Sequence, residues 1–380
     1  MSTHLFQDTI TTEIIPKIVA RIRQNYQQYG ASFPSYGDGD KQYLLTSNEN
    51  WLASFWTGLL WLIYAETGHE QDLTNVTRLL SSFENRLTNR IRLNHDLGFL
   101  FLLSARAQYL LQGDVDAQSL MLRAADELYA RYRPDGQYIQ AWGELDNDAE
   151  AGRIIIDCMM NLPLLFLATH ETGNQKYHDA ALAHAKKSQA YLIREDASTY
   201  HTYFFNPVDG SPIAPKTHQG FADDSLWARG QGWAIYGFTM AAEWTGDETF
   251  ISTAQDAVER YFAEAPINNI TPYDLRLTDD ALAYPDSSAD AIVAGGLLRL
   301  ADLTGEQAYR EKAHSLLMML YEKAFDTQSD AQGLLLHGTQ HAPHNYGVDT
   351  YTIFGDYFFL EGLMRLTSKA PDFWGKPQED

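Results

Sequence analysis

Two aspartates stand out by their surroundings. Asp157 follows Ile154-Ile155-Ile156 and precedes Cys158-Met159-Met160. An ionisable carboxyl in such an apolar wall is costly unless it is paired or used. Asp96, in Asn94-His95-Asp96-Leu97-Gly98-Phe99, opens a second apolar segment. Two carboxyls facing one pocket, one ionised and one held protonated, are the usual equipment for acid/base work on sugars. Trp51, Trp142 and Trp233 fall at expected rim positions or helix starts, where flat rings could stack on pyranose faces, whereas Trp56 and Trp61 lie inside a helical run and read as core. His201, His218 and Gln219 share one long polar stretch that ends at Arg229. In a chain of net charge −22, two histidines and an arginine on one rim read as a local positive site for an anionic group.

Other candidates read more plainly. Asp286 and Asp356 begin or enter two further apolar segments, and Asp286 reads as a helix N-cap. His337, His341 and His344 suggest metal ligands, but Gly338 and Pro343 break helical register and no carboxylate stands at ligand spacing. No metal and no cofactor are expected. Asp146, Asp148 and Glu150 lack the central glycine of a calcium loop and read as a solvated acidic turn. Gly230 and Gly232 follow no strand, so they form no phosphate loop.

The elements that must position these groups repeat. Gly68, Gly113, Gly173 and Gly246 end apolar segments, as does Gly305, and a sixth segment ends at Leu366-Thr367-Ser368. Glycine after a helix is the common left-handed stop. The marks are about 60 residues apart on average, the length of two helices with connections. Segments before each mark are apolar on nearly every face, as in Trp56 to Tyr64, Leu97 to Leu111, Cys158 to Ala168, Trp233 to Ala242 and Ile292 to Leu300. Segments after it carry one apolar stripe, as in Phe250, Ala254, Ala257, Val258 and Tyr261. Helices apolar all round are buried all round. Six buried helices alternating with six one-faced helices predict an all-α fold, an (α/α)6 barrel, with 1–380 as a single catalytic domain. Loops 31–50, 134–154, 195–228, 265–288 and 326–350 precede the inner helices and would build one rim.

Composition excludes several functions. Fifty acidic against 28 basic residues lack the footprint of a nucleic-acid binder and should repel anionic membranes. One cysteine, Cys158, allows no internal disulfide. The N-terminus has no charged region followed by an apolar one, and no stretch of 18 apolar residues occurs, so a cytoplasmic protein is expected.

The strings around Asp96 and Asp157, with Thr217-His218-Gln219-Gly220, Arg229-Gly230-Gln231 and Gly355-Asp356-Tyr357, resemble the unsaturated glucuronyl hydrolases of glycoside hydrolase family 88 from about residue 30 to 374. The resemblance implies the same barrel. It also implies a substrate, the Δ4,5-unsaturated uronic acid at the non-reducing end of di- or oligosaccharides cut by polysaccharide lyases. Asp157 would be general acid and base, and Asp96 its ionised partner. His201, Gln219 and Arg229 would bind or polarise substrate, and Trp51, Trp142 and Trp233 would line sugar subsites. A monomer or homodimer is expected. Residues 337–349 lack the Ser and Lys that some members use for sulfate, and an aromatic that others place near 340, so unsulfated or lightly sulfated substrates are expected. The rival readings are an unsaturated galacturonyl-rhamnose hydrolase, a non-catalytic sugar-binding barrel and a sugar 2-epimerase. Paired histidines would centre an epimerase, and a binding module needs no carboxyl inside an Ile/Met wall.

Overall fold

All five marker glycines terminate helices in the left-handed conformation, with φ between +64° and +76°. Asp114, Asn174 and Asp247 follow three of them and cap the next helix through their side chains. The structure, a computed structural model, describes residues 3–38, 41–147, 151–279 and 282–377; Asp148 and Glu150 of the acidic turn lie outside these.

The helices form two rings. The inner ring comprises Ala53–Thr67, residues 97–112, residues 156–172, Ala228–Thr245, Ser287–Thr304 and Ile353–Leu366. Residues 53–63 are buried without interruption, as the all-round apolar pattern requires. Each inner helix packs on its neighbours, and the sixth packs on the first, so the ring closes. The outer ring comprises residues 3–29, the pair Glu70–Thr77 and Leu80–Thr88, Val115–Tyr129, Gln175–Leu192, Glu248–Glu264 and Gln307–Lys323. The fold is the expected (α/α)6 barrel. No helix among the described residues is long and apolar enough to cross a membrane.

The periodicity did not show two local features. Residues 156–172 are not one helix: a 3-10 turn, Ile156–Met160, precedes the helix Pro163–Thr172. Pro163 cannot sit in a helix interior and takes the first turn instead. The rim loops also carry short antiparallel strands, Phe33–Gly37 with Tyr43–Thr46, Tyr132–Arg133 with Tyr138–Ile139, and the sheet Arg153–Ile155, Thr202–Phe205, Pro212–Lys216. Bridges between loops join Tyr36 to Thr352, Trp227 to Asp274 and Gly338 to Thr350. These pairings stitch the loops into one rim over the N-terminal ends of the inner helices.

Candidate active site

Asp96 and Asp157 arrive from different elements and are brought together by a glycine. Asp96 precedes the helix beginning at Leu97, its backbone N–H held by Asn94 Oδ1 at 2.8 Å. Asp157 lies on the 3-10 turn after the strand Arg153–Ile155, not inside a helix as expected. Asn161 ties the two: its Oδ1 accepts from Phe99 N at 2.7 Å, and its Nδ2 donates to Asp157 O at 3.2 Å. A Cβ at Gly98 would lie 2.3 Å from Asn161 Cα, so only glycine lets the helix start approach so closely.

His95, which the sequence reading passed over, stands between the carboxyls. Its Nε2 is 3.6 Å from Asp96 Oδ1 and 3.8 Å from Asp157 Oδ1, and the three groups lie within 4.8 Å of one another. Burial drives His95 down to about 3, so the imidazole is neutral beside two acids. Burial also raises Asp96, to about 6, against the pull of Asn94, Arg86 and Arg131. Asp157 is raised well above the usual carboxylate range, first by burial and then by the charge on Asp96. Of the two, Asp157 therefore keeps its proton to higher pH, and Asp96 is the first to ionise. The Asp157 side chain stays 18% exposed, and its Oδ1 has no hydrogen-bond partner among the described residues.

His201 is buried beside the Asp157 turn, its carbonyl accepting from Ile156 N–H at 3.1 Å. Its Nδ1 accepts from the backbone N–H of His218 at 2.9 Å and of Gln219 at 3.1 Å, so Nε2 carries the proton and is an unpartnered donor among the described residues. Burial, then His218 and Arg229, holds its pKa well below normal. Asp274 fixes the loop beyond, accepting from Phe221, Leu226 and Arg276 backbone N–H groups. Arg229 is buried and paired with Asp286, and it donates to Thr339 O at 2.7 Å and Gln340 O at 2.8 Å. Gln219 Nε2 donates to the same Gln340 O at 3.0 Å.

Several expectations change here. The three groups expected to make a positive rim carry less charge than expected: the Asp286 carboxylate balances Arg229, and burial lowers His201 and His218. Asp286 occupies the N-cap position but makes no capping bond; its carboxylate accepts from Arg229, Ser288 and Thr339 N. Asp356 accepts from Tyr43 Oη and the Leu334 and Leu335 N–H groups. Trp142 lies on the rim, its ring 5.0 Å from His218 and 4.8 Å from the Arg153 guanidinium. Trp51 is half-buried, stacked on Phe354 at 5.2 Å. Trp233 is only 1% exposed, packed between Phe99 and Phe358 in the barrel centre, so it supports the pocket floor rather than presenting a sugar platform. Trp227, missed in sequence, packs its ring 4.4 Å from His201. Tyr346 is an exposed aromatic beside His341 and Tyr36. His337 pairs with Asp349 at 2.6 Å, a carboxylate twelve residues away, while His341 and His344 meet His218.

The same arrangement of chain recurs in known proteins. The sequence profile described as Glycosyl Hydrolase Family 88 matches residues 32–244. An unsaturated glucuronyl hydrolase from Bacillus sp. strain GL1 is 39% identical over 92% of this chain and 95% of its own. An unsaturated chondroitin disaccharide hydrolase from Streptococcus pneumoniae is 36% identical over 95% of this chain and 93% of its own. The crystal structure of the Bacillus sp. GL1 enzyme, described as responsible for the degradation of glycosaminoglycan, superposes with a TM-score of 0.92 at 38% identity, covering 97% of this chain and 99% of that one. With a closed double ring of helices, a buried aspartate pair at its open end and relatives matched along nearly their whole length, this chain belongs to glycoside hydrolase family 88.

Proposed function

We propose that this glycoside hydrolase releases Δ4,5-unsaturated glucuronic acid from the non-reducing end of lyase-cut, glycosaminoglycan-type oligosaccharides, by hydrating the C4=C5 enol ether. The observation that carries the reading is Asp157: a carboxyl whose proton is held by burial and by the charge on Asp96, with Oδ1 buried and unpartnered among the described residues while the side chain stays 18% exposed. The Asp157 carboxyl gives its proton to C4, and positive charge develops at C5 and the ring oxygen. Asp96 stabilises that charge while remaining ionised. The Asp157 carboxylate then takes a proton from water as its oxygen bonds to C5, which restores the acid. The C5 hemiketal opens to a ketone, the ring oxygen stays on C1, and C1 expels the neighbouring sugar. One carboxyl serves both steps, so the scheme needs a coupled pair rather than two acids separated by a water.

His201 Nε2–H and Gln219 would polarise and hold the uronate, positioned by Arg229, with His218, Trp142 and Trp51 flanking the sugars. A local wall of donors suits a small anionic sugar in a chain of −22, where a long polyanion would be repelled. The full chain 1–380 acts as one catalytic domain, as monomer or homodimer. A single buried cysteine suits a reducing compartment, and the cytoplasm is the proposed site of action on imported fragments. The test follows the ultraviolet absorbance of unsaturated disaccharides: decay with the parent protein and none with Asp157→Asn supports the reading. Unimpaired decay with Asp157→Asn contradicts it.

A further inference from the structure

Three histidines meet on the rim outside the aspartate pair. His341 and His344 stand three apart across the 3-10 turn Ala342–His344, and such a turn eclipses side chains at that spacing. Their rings are 4.2 Å apart, with His341 Nε2 2.9 Å from His344 Nδ1. His218 arrives from a distant loop, its ring 4.7 Å from His341 and 5.4 Å from His344. One nitrogen from each histidine lies within 4.8 Å of the other two.

The backbone at His218 and next to His341 is pinned. His218 N–H is bound to His201 Nδ1, and the carbonyl just before His341 accepts from both Arg229 and Gln219. His341 is buried and His344 exposed, so the cluster has one side open to solvent.

We propose that His218, His341 and His344 form a binding site for one borderline divalent transition-metal ion of the zinc class. Tetrahedral zinc takes imidazole nitrogens at about 2.0–2.1 Å, which sets neighbouring nitrogens roughly 3.4 Å apart. The closest pair must open slightly and His218 must swing inward by about an ångström, both within side-chain rotation. The proton balance closes. His341 Nδ1 accepts from His344 N–H at 3.4 Å, so the hydrogen bond to His344 runs from His341 Nε2–H. On coordination that proton moves to His341 Nδ1, the long 3.4 Å contact is given up, and no proton is released.

The site lies beside Trp142, which His218 touches, and next to the carbonyl that anchors Arg229 and Gln219. A bound ion would clamp the loop at 217–220 to the segment at 337–349 and raise KM. That kinetic consequence rests on the function proposed above; the binding does not.

Tag-free full-length protein titrated with Zn2+ by calorimetry, and with Co2+ by visible absorption, tests the site. One ion per chain is expected, with cobalt bands displaced by zinc. Affinity should fall at least tenfold in His344→Ala and in His341→Ala, and stay unchanged in His337→Ala. Zinc should raise KM several-fold, reversibly with a chelator, and not in His344→Ala. No saturable binding at millimolar ion overturns the site, as does parental affinity in both His344→Ala and His341→Ala. Binding that is lost in Asp96→Asn but kept in His344→Ala would move the ion to the aspartates and also overturn it. Binding at the histidines with KM unmoved by zinc overturns the clamp.

Discussion

Buried aspartates at the two ends of the barrel shift in opposite directions. At the C-terminal ends of the inner helices, Arg299 pairs with Glu243 at 2.6 Å and Asp372 at 2.7 Å, and Arg365 joins Asp372 at 3.1 Å. Glu361 there accepts from Tyr236 Oη and Trp374 Nε1. Burial alone would raise Asp372, but Arg299 and Arg365 overcome it and hold the carboxyl below its usual range. At the N-terminal ends, Asp96 and Asp157 have each other and a neutral histidine, and both rise. Desolvation is common to both clusters; two guanidiniums in direct contact overcome it at Asp372, whereas the charges of Arg86, Arg131 and Arg229 act on the aspartate pair without overcoming it. The closed end is built to hold the ring together, and the open end keeps a proton available at a cost in stability.

Each variant below breaks one side of that contrast. The largest effect is expected from Asp157→Asn, which cannot cycle a proton: kcat should fall by about 10²–10⁴ or more, with folding and substrate affinity retained. Stopped assays at high enzyme concentration measure it. Asp96→Asn should lower kcat by about 10² and also move the pH profile. Without the neighbouring charge Asp157 holds its proton less tightly, so the alkaline limb shifts to lower pH; an unmoved limb with only KM raised would make Asp96 a binding residue.

Arg299→Met should reverse the pattern. It leaves Glu243 without its guanidinium and Asp372 with Arg365 alone, and those carboxylates are 20% and 40% exposed, so the loss should be about 2 kcal/mol, below the 3–5 of a fully buried pair. Urea unfolding reads the loss, and kcat should change little. Asp157→Asn should act the other way on stability. A carboxyl whose pKa is raised in the folded state destabilises once pH exceeds the unfolded value, near 3.9, because only the unfolded chain then ionises. The variant's advantage over the parent should therefore be absent near pH 4 and grow with pH by up to about 1.4 kcal/mol per unit. Thermal melts across that range give the sign directly.

The smallest effect concerns sulfate. The segment at 337–349 offers no lysine or serine, and burial holds His341 down at about 3. Unsulfated disaccharides should be favoured in kcat/KM, and the preference should not shrink between pH 7 and 6, as it would if His341 gained charge. Side-by-side assays at the two pH values decide this.

The array of helices was legible because a helix stop and an apolar face are local: Gly113 and the stripe through Tyr261 need no distant partner to be recognised. The aspartate pair was legible for a related reason, since a carboxyl between isoleucines and methionines is anomalous on its own. What sequence hid was tertiary. Asp286 looks like any N-cap until Arg229 reaches it from another helix. Trp233 has the spacing of a rim residue, yet the barrel centre closes over it. His218 lies more than a hundred residues from His341, and no spacing rule joins them. His95 was adjacent to Asp96 and unremarked, because its value comes from Asp157 approaching its other side.

The central claim is that Asp157 stores a proton at working pH, and difference infrared spectroscopy at pH 7 tests it most directly. Subtracting Asp157→Asn from the parent should leave the carbonyl stretch of a neutral carboxylic acid, one per chain, and no carboxylate band. A difference made of carboxylate bands alone would show that Asp157 is ionised at rest, and the proposed acid would have no proton to give.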